Sequence, residues 1–154
     1  MFLPMLAHRY DKHSKKIKFP CWVQPKLDGV RMVAKKEKGN ILMWSRKGKE
    51  ITIPTDIAQQ LSDMLEEGQS VDGEVYVHDW TFQRIISALK KKRDDTSFLE
   101  YHIYDSPHPS LSFEDRMPIF SASSAAFPEY CQGWTVIGKN IKFVKSTLVK
   151  DEEE

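Results

Sequence analysis

Lys26 is the residue of this sequence with the most chemistry open to it. It stands in Trp22-Val23-Gln24-Pro25-Lys26-Leu27-Asp28-Gly29-Val30-Arg31, at the end of an apolar run and next to a turn signal, with an arginine five residues on. Asp-Gly between two apolar stretches favours a tight turn, because glycine takes positive φ without steric cost. Such a turn would aim the Lys26 amine into the mouth of whatever the strands enclose. A free lysine amine titrates near about 10.4 and is protonated at neutral pH. Desolvation, or crowding by a second cation such as Arg31, favours the neutral and nucleophilic amine. The same residues fit a surface hairpin with a solvated lysine equally well.

The elements that must position this lysine follow from hydrophobic spacing. Strands are expected over Cys21–Lys26, Val30–Ala34 and Ile41–Trp44, with Lys35–Asn40 as a charged hairpin loop and a short β-like piece at Glu50–Ile53. Pro54-Thr55-Asp56 opens a helix whose Ile57, Leu61, Met64 and Leu65 share one face, and Gly68 is expected to end it. A strand at Ser70–Val77 carries Asp72-Gly73-Glu74. Thr81 then caps a second helix with Phe82, Ile85, Ile86 and Leu89 inward. That helix runs into Lys90-Lys91-Lys92-Arg93, cations that suit a helix C-terminus and could instead meet phosphate. A strand over Phe98–Asp105 is stopped by Pro107 and Pro109. A third helical stretch spans Phe113–Phe127, and Trp134–Ile137 and Ile141–Val144 form a late strand pair. The basic lead-in His8–Lys18 and the acidic end Asp151–Glu154 read as solvated and frayed.

Composition sets the outer limits. A chain of 154 residues is long enough for one domain with a real core, and 40% hydrophobic with 29% charged residues is ordinary for a soluble protein. A net charge of +1 supplies no general field toward nucleic acid, which leaves room for a local basic patch. Cys21 and Cys131 make no metal or redox pattern and suit a reducing cytoplasm. The five histidines show no metal-ligand spacing. No apolar run reaches membrane-spanning length, and the N-terminus lacks a signal peptide's basic start. No internal repeat and no linker divides the chain. Antiparallel strands with interspersed helices make an α+β domain.

Lys26-Leu27-Asp28-Gly29-Val30-Arg31 resembles the first motif of the covalent nucleotidyltransferases: ATP-dependent DNA ligases, RNA ligases and capping enzymes. Ser45-Arg46-Lys47-Gly48 is similar to their Ser-Arg-x-Gly segment, Asp72-Gly73-Glu74 to their Asp-Gly-Glu motif, and Tyr104-Asp105 to the strand that ends in aromatic-Asp. Each later motif is weak alone; the four stand in family order at ligase-like spacing. Thr81-Phe82-Gln83 resembles the compact ligases of phages and bacteria.

The resemblance implies a fold, an ATP-grasp-like adenylation domain with the nucleotide between packed sheets. It implies that Lys26 attacks the α-phosphorus of ATP, giving a lysine-AMP and pyrophosphate. Gln24 would contact the adenine amino group through its amide oxygen. Arg31 would bind ribose or phosphate, and Arg46 the phosphate. Glu74 would reach the ribose hydroxyl or a magnesium ion, directly or through water. Tyr104 would stack on adenine, unless it is simply a core tyrosine. Asp28 and Asp72 would mainly form turns. The partner implied is nicked double-stranded DNA, handled by a monomer in the cytoplasm of a bacterium or phage-infected cell.

Two later family motifs, a Glu-Gly segment and a Lys-x-Lys strand, have no match. Lys142-Phe143-Val144-Lys145 has the wrong spacing, and Ile141–Glu154 resembles the strand and helix start that precede the Glu-Gly segment. The expectation is therefore a partial adenylation domain over 1–154 with no OB-fold domain and incomplete activity alone. An RNA ligase is the less favoured family member, because RNA ligases tend to carry Asn-Gly where this chain has Asp28-Gly29. A GTP-using capping enzyme and a non-catalytic nucleotide-binding module also fit the early motifs.

Overall fold

A computed structural model describes residues 3–4, 9–116, 135–136 and 138–151. Its frame is a six-stranded sheet in the order β3-β2-β4-β5-β7-β6. The strands are β2 (Val30–Glu37), β3 (Asn40–Ser45), β4 (Ser70–Tyr76), β5 (Glu100–Asp105), β6 (Thr135–Val136) and β7 (Ile141–Phe143). Every neighbouring pair is antiparallel except β5 with β7. A separate two-stranded sheet pairs β1 (Cys21–Val23) with β8 (Thr147–Val149).

Period-2 alternation decides which side chains each face receives. Met32 and Ala34 of β2, Val71 and Val75 of β4, and Tyr101 and Ile103 of β5 are buried together on one face. After a short helix α1 (Tyr10–His13), helix α2 (Thr55–Met64) lays Ile57 and Leu61 into this core, followed by Leu65. Helix α3 (Phe82–Lys90) adds Ile85 and Ala88. The Thr81 hydroxyl accepts the Arg84 N–H at 3.3 Å, satisfying a free donor of the first turn of α3. Tyr101 is fully buried, and its hydroxyl lies 2.9 Å from the Met32 carbonyl and 3.2 Å from that of Val71. Asn140, also buried, donates to the Ser97 and Leu99 carbonyls at 2.9 and 2.8 Å and accepts from Gln60. The opposite face of the sheet carries the polar residues. In one register row, Arg31, Glu74, His102 and Lys142 stand side by side on four strands.

The α+β expectation holds, and several local expectations do not. Asp28-Gly29 makes no hairpin, because β1 pairs with β8 and not with β2. Strand β1 stops at Val23, so Gln24–Lys26 lie outside any ladder. Gly29 does not take a positive φ. A Cβ there would collide with the Val75 carbonyl and approach the Glu74 Cγ to 2.8 Å, so the glycine serves close packing. Lys38 and Gly39, at φ 51° and 75°, make the turn between β2 and β3, and Glu67 accepts both of their N–H groups.

Helix α2 ends at Met64, four residues before Gly68, whose φ of 85° serves a later turn. Pro54 precedes that helix as its N-cap instead of sitting in the first turn. Phe82 of α3 is exposed, not inward. Glu50–Ile53 contributes one bridge, Trp44 to Glu50, where a strand was expected. Asp94–Phe98 is a short 3-10 helix, so β5 starts only at Glu100. The expected helix start near the C-terminus is β8. Helix α4 (Phe113–Arg116) opens the stretch expected to run to Phe127, and the remainder, with Cys131, lies outside the described residues.

Candidate active site

The cleft sits on the polar face of the large sheet, with a volume of about 1040 Å³. Its walls include Gln24 through Arg31, the end of β3 at Ser45 and Arg46, Asp72 and Glu74 of β4, and Tyr104 and Asp105 of β5. All six candidate residues, Gln24, Lys26, Arg31, Arg46, Glu74 and Tyr104, line this one space. They come from four regions of the sequence, and β2, β4 and β5 are brought together by consecutive antiparallel pairing.

Lys26 is exposed and lines the cleft, in irregular chain beyond the end of β1. Its charge reaches Glu74, where it favours the carboxylate. Arg46 is also exposed. It sits at the tip of β3, on a turn closed by the Gly48 N–H donating to the Ser45 carbonyl at 2.8 Å and by Gly48 at φ 77°. Among the described residues neither cation has an ion-pair partner.

Arg31 is differently placed. Its Nε and Nη2 donate to the two carboxylate oxygens of Asp72, both at 2.7 Å. Burial disfavours its charge, and the Asp72 hydrogen bonds and field outweigh burial, so its pKa is raised. Two of its donors are thus spent within the protein, and the guanidinium lies 4.9 Å from the Tyr104 ring centroid. Asp72 is correspondingly buried in mid-strand, so the expectation of a turn-former is corrected.

Glu74 is buried beside these groups. Burial pushes its carboxyl up to about 7, against the opposite pull of Arg31, Lys26 and the Gly29 N–H. Tyr104 is half-buried, and burial raises its hydroxyl to about 12, with the field of Glu74 adding to the rise. The hydroxyl accepts the Leu27 N–H at 3.3 Å. Gln24 uses its amide nitrogen twice, toward the Tyr104 carbonyl and the Ser146 Oγ, both at 2.9 Å. The Tyr104 carbonyl can only accept, which fixes the amide's orientation and leaves its oxygen available as an acceptor.

A second bidentate pair borders the cleft: Arg116 of α4 donates to both Asp105 oxygens at 2.8 and 2.7 Å. Helix α4 is further tied to β1, where the Trp22 indole N–H donates to Glu114 at 3.0 Å. Sequence reasoning placed Asp72 and Asp105 in motifs without their partners, and it missed Arg116 and Ser146 as parts of this region. Their partners lie from 11 to 122 residues away, and no local spacing signals such pairs. Among the described residues, no group of three or more His, Cys, Asp or Glu side chains is placed to hold a metal ion.

A family model described as "ATP dependent DNA ligase domain" matches residues 4–110, more than half of the chain. The chain belongs to this family. Its fold is that of solved ligase structures. One described as "Pmar-Lig_Pre" shares 20% identity at a TM-score of 0.71, covering 94% of this chain and 35% of its own. The adenylate of Chlorella virus DNA ligase shares 24% identity at a TM-score of 0.61, covering 89% of this chain and 47% of its own. The chain thus spans between a third and a half of these proteins. No curated protein sequence matches it. Among the described residues, no helix is long and apolar enough to cross a membrane.

Proposed function

We propose that the chain is the adenylation part of an ATP-dependent DNA ligase, with Lys26 as the nucleophile. The observation that supports this most is the gathering of Lys26, Arg46, Glu74 and Gln24 around one cleft in a chain of the ligase family. In the proposed step the neutral Lys26 amine attacks the α-phosphorus of ATP. A nitrogen–phosphorus bond forms, the bond from the α-phosphorus to the bridging oxygen breaks, and pyrophosphate leaves as the amine's proton passes to solvent. AMP then moves to the 5′-phosphate of a nick, and the 3′-hydroxyl displaces it to seal the strand. The substrate is nicked double-stranded DNA, and the ligase works as a monomer in the cytoplasm.

Each cleft residue has a task in this scheme. Arg46, free of a protein partner among the described residues, meets the phosphates with its planar fork. The Gln24 oxygen accepts from the adenine amino group, whereas guanine would oppose it with a carbonyl, and this favours ATP over GTP. Arg31 is left with its Nη1, the second N–H of Nη2 and its position over Tyr104. Glu74, which lines the cleft, would hold a magnesium ion directly or through water, and the cation's charge would favour the carboxylate over the protonated acid. When bound, the ion supplies charge stabilisation at phosphorus.

Incubation with magnesium and ATP labelled in the α-phosphate tests the reading. The expected result is label on the wild-type chain that survives denaturation and alkali and is released by hot acid, as a phosphoramidate requires, and none on Lys26→Ala. Label that survives Lys26→Ala would remove the nucleophile assignment.

A further inference from the structure

The segment that carries Lys26 has no strand ladder to hold it: β1 ends at Val23 and β2 begins at Val30. Something else must fix the amine, because a nucleophile contributes only when held near its target in a narrow range of geometries. Two hydrogen bonds flank the lysine, and both end on one residue. Before it, the Gln24 amide donates to the Tyr104 main-chain carbonyl at 2.9 Å. After it, the Leu27 N–H donates to the Tyr104 hydroxyl at 3.3 Å. Tyr104 is itself anchored on β5, and Arg31, held bidentately by Asp72, lies against its ring.

We propose that Tyr104 is a positioning residue for Lys26, clamping the chain on both sides of it, with the hydroxyl as the part a phenylalanine could not replace. The inference rests on Lys26 being the nucleophile. Asp72, Arg31 and Tyr104 form a line of contacts from the buried sheet to the reactive segment. This gives the aspartate of Asp72-Gly73-Glu74 a role without contact to ATP. Because burial raises the hydroxyl to about 12, it stays neutral throughout the working range and remains a stable acceptor for Leu27.

The test uses Tyr104→Phe, which keeps the ring and the carbonyl and loses one oxygen. Amide hydrogen exchange on the nucleotide-free chain reads the clamp directly. Leu27 should exchange roughly fivefold faster or more in the variant, while core amides such as Val75 and Ile103 keep their rates. Single-turnover labelling with α-labelled ATP reads the consequence. The adenylation rate at saturating ATP should fall by about tenfold, with the half-saturating ATP concentration within about twofold of wild type. Unchanged Leu27 exchange overturns the clamp. An unchanged adenylation rate, or a loss confined to ATP affinity, overturns the positioning role. A wild-type chain that takes no label at all shows that this stretch does not adenylate itself alone, and the clamp is then decided by Leu27 exchange alone.

Discussion

Glu74 should make this protein less stable as the pH rises from acid to neutral, the reverse of what an ordinary paired carboxylate does. Burial sets its carboxyl at about 7 in the folded chain, against 4.5 when free. Between those values the folded protein holds a proton that the unfolded chain has released. The stabilisation is fully present below 4.5 and is lost as the pH climbs through about 7. At about 1.36 kcal/mol per unit, the loss is on the order of 3 kcal/mol, a large part of a typical domain's stability.

The perturbation is Glu74→Gln, which keeps the shape and cannot titrate. Urea unfolding, followed by tryptophan fluorescence, is measured at pH 5 and pH 8 for both proteins. The wild type should lose about 2.5 kcal/mol more than the variant between the two conditions. His102, whose burial lowers its pKa, acts in the opposite sense and is present in both proteins; Glu100 and Lys142 are the charges that act on it, so its part cancels to first order. A difference below about 1 kcal/mol would refute the claim that the acid is held protonated by its surroundings.

Two further outcomes follow from the packing of the cleft. Asp72→Asn should destabilise the chain by about 2–4 kcal/mol in urea, because it leaves Arg31 half-buried without its bidentate acceptor. The figure stays below that for a dry pair because the Arg31 side chain keeps 30% exposure. Gly29→Ala should cost about 1–3 kcal/mol and slow self-adenylation, since the new methyl meets the Val75 carbonyl and the Glu74 side chain. A fully stable and active alanine variant would show that this close approach is dispensable.

Part of the architecture was legible locally. Alternating apolar residues marked β2, β3, β4 and β5, and the i, i+4, i+8 spacing of Ile57, Leu61 and Leu65 marked α2. The Thr81 cap was readable because a cap is a bond within one turn. Boundaries failed where the deciding contact was distant. Phe82 belongs to an apolar helical stripe by spacing, yet it borders the cleft because α3 packs through Ile85 and Ala88. Strand β1 was expected to turn back on β2, and β8 took it as partner from more than a hundred residues away.

The sequence by itself determined which residues are candidates for the chemistry: a lysine followed by Asp-Gly and an arginine, an Asp-Gly-Glu stretch and an aromatic-Asp strand end, in one order. Side-chain type fixes what a group can donate, accept or attack. Tertiary structure decided what each group is free to do. It gave Arg31 to Asp72, buried Glu74 until its carboxyl titrates near 7, and tied Gln24 and Leu27, which flank Lys26, to the carbonyl and hydroxyl of Tyr104. Partners, burial and fields depend on distances between strands, and linear spacing does not encode those distances until the sheet has formed.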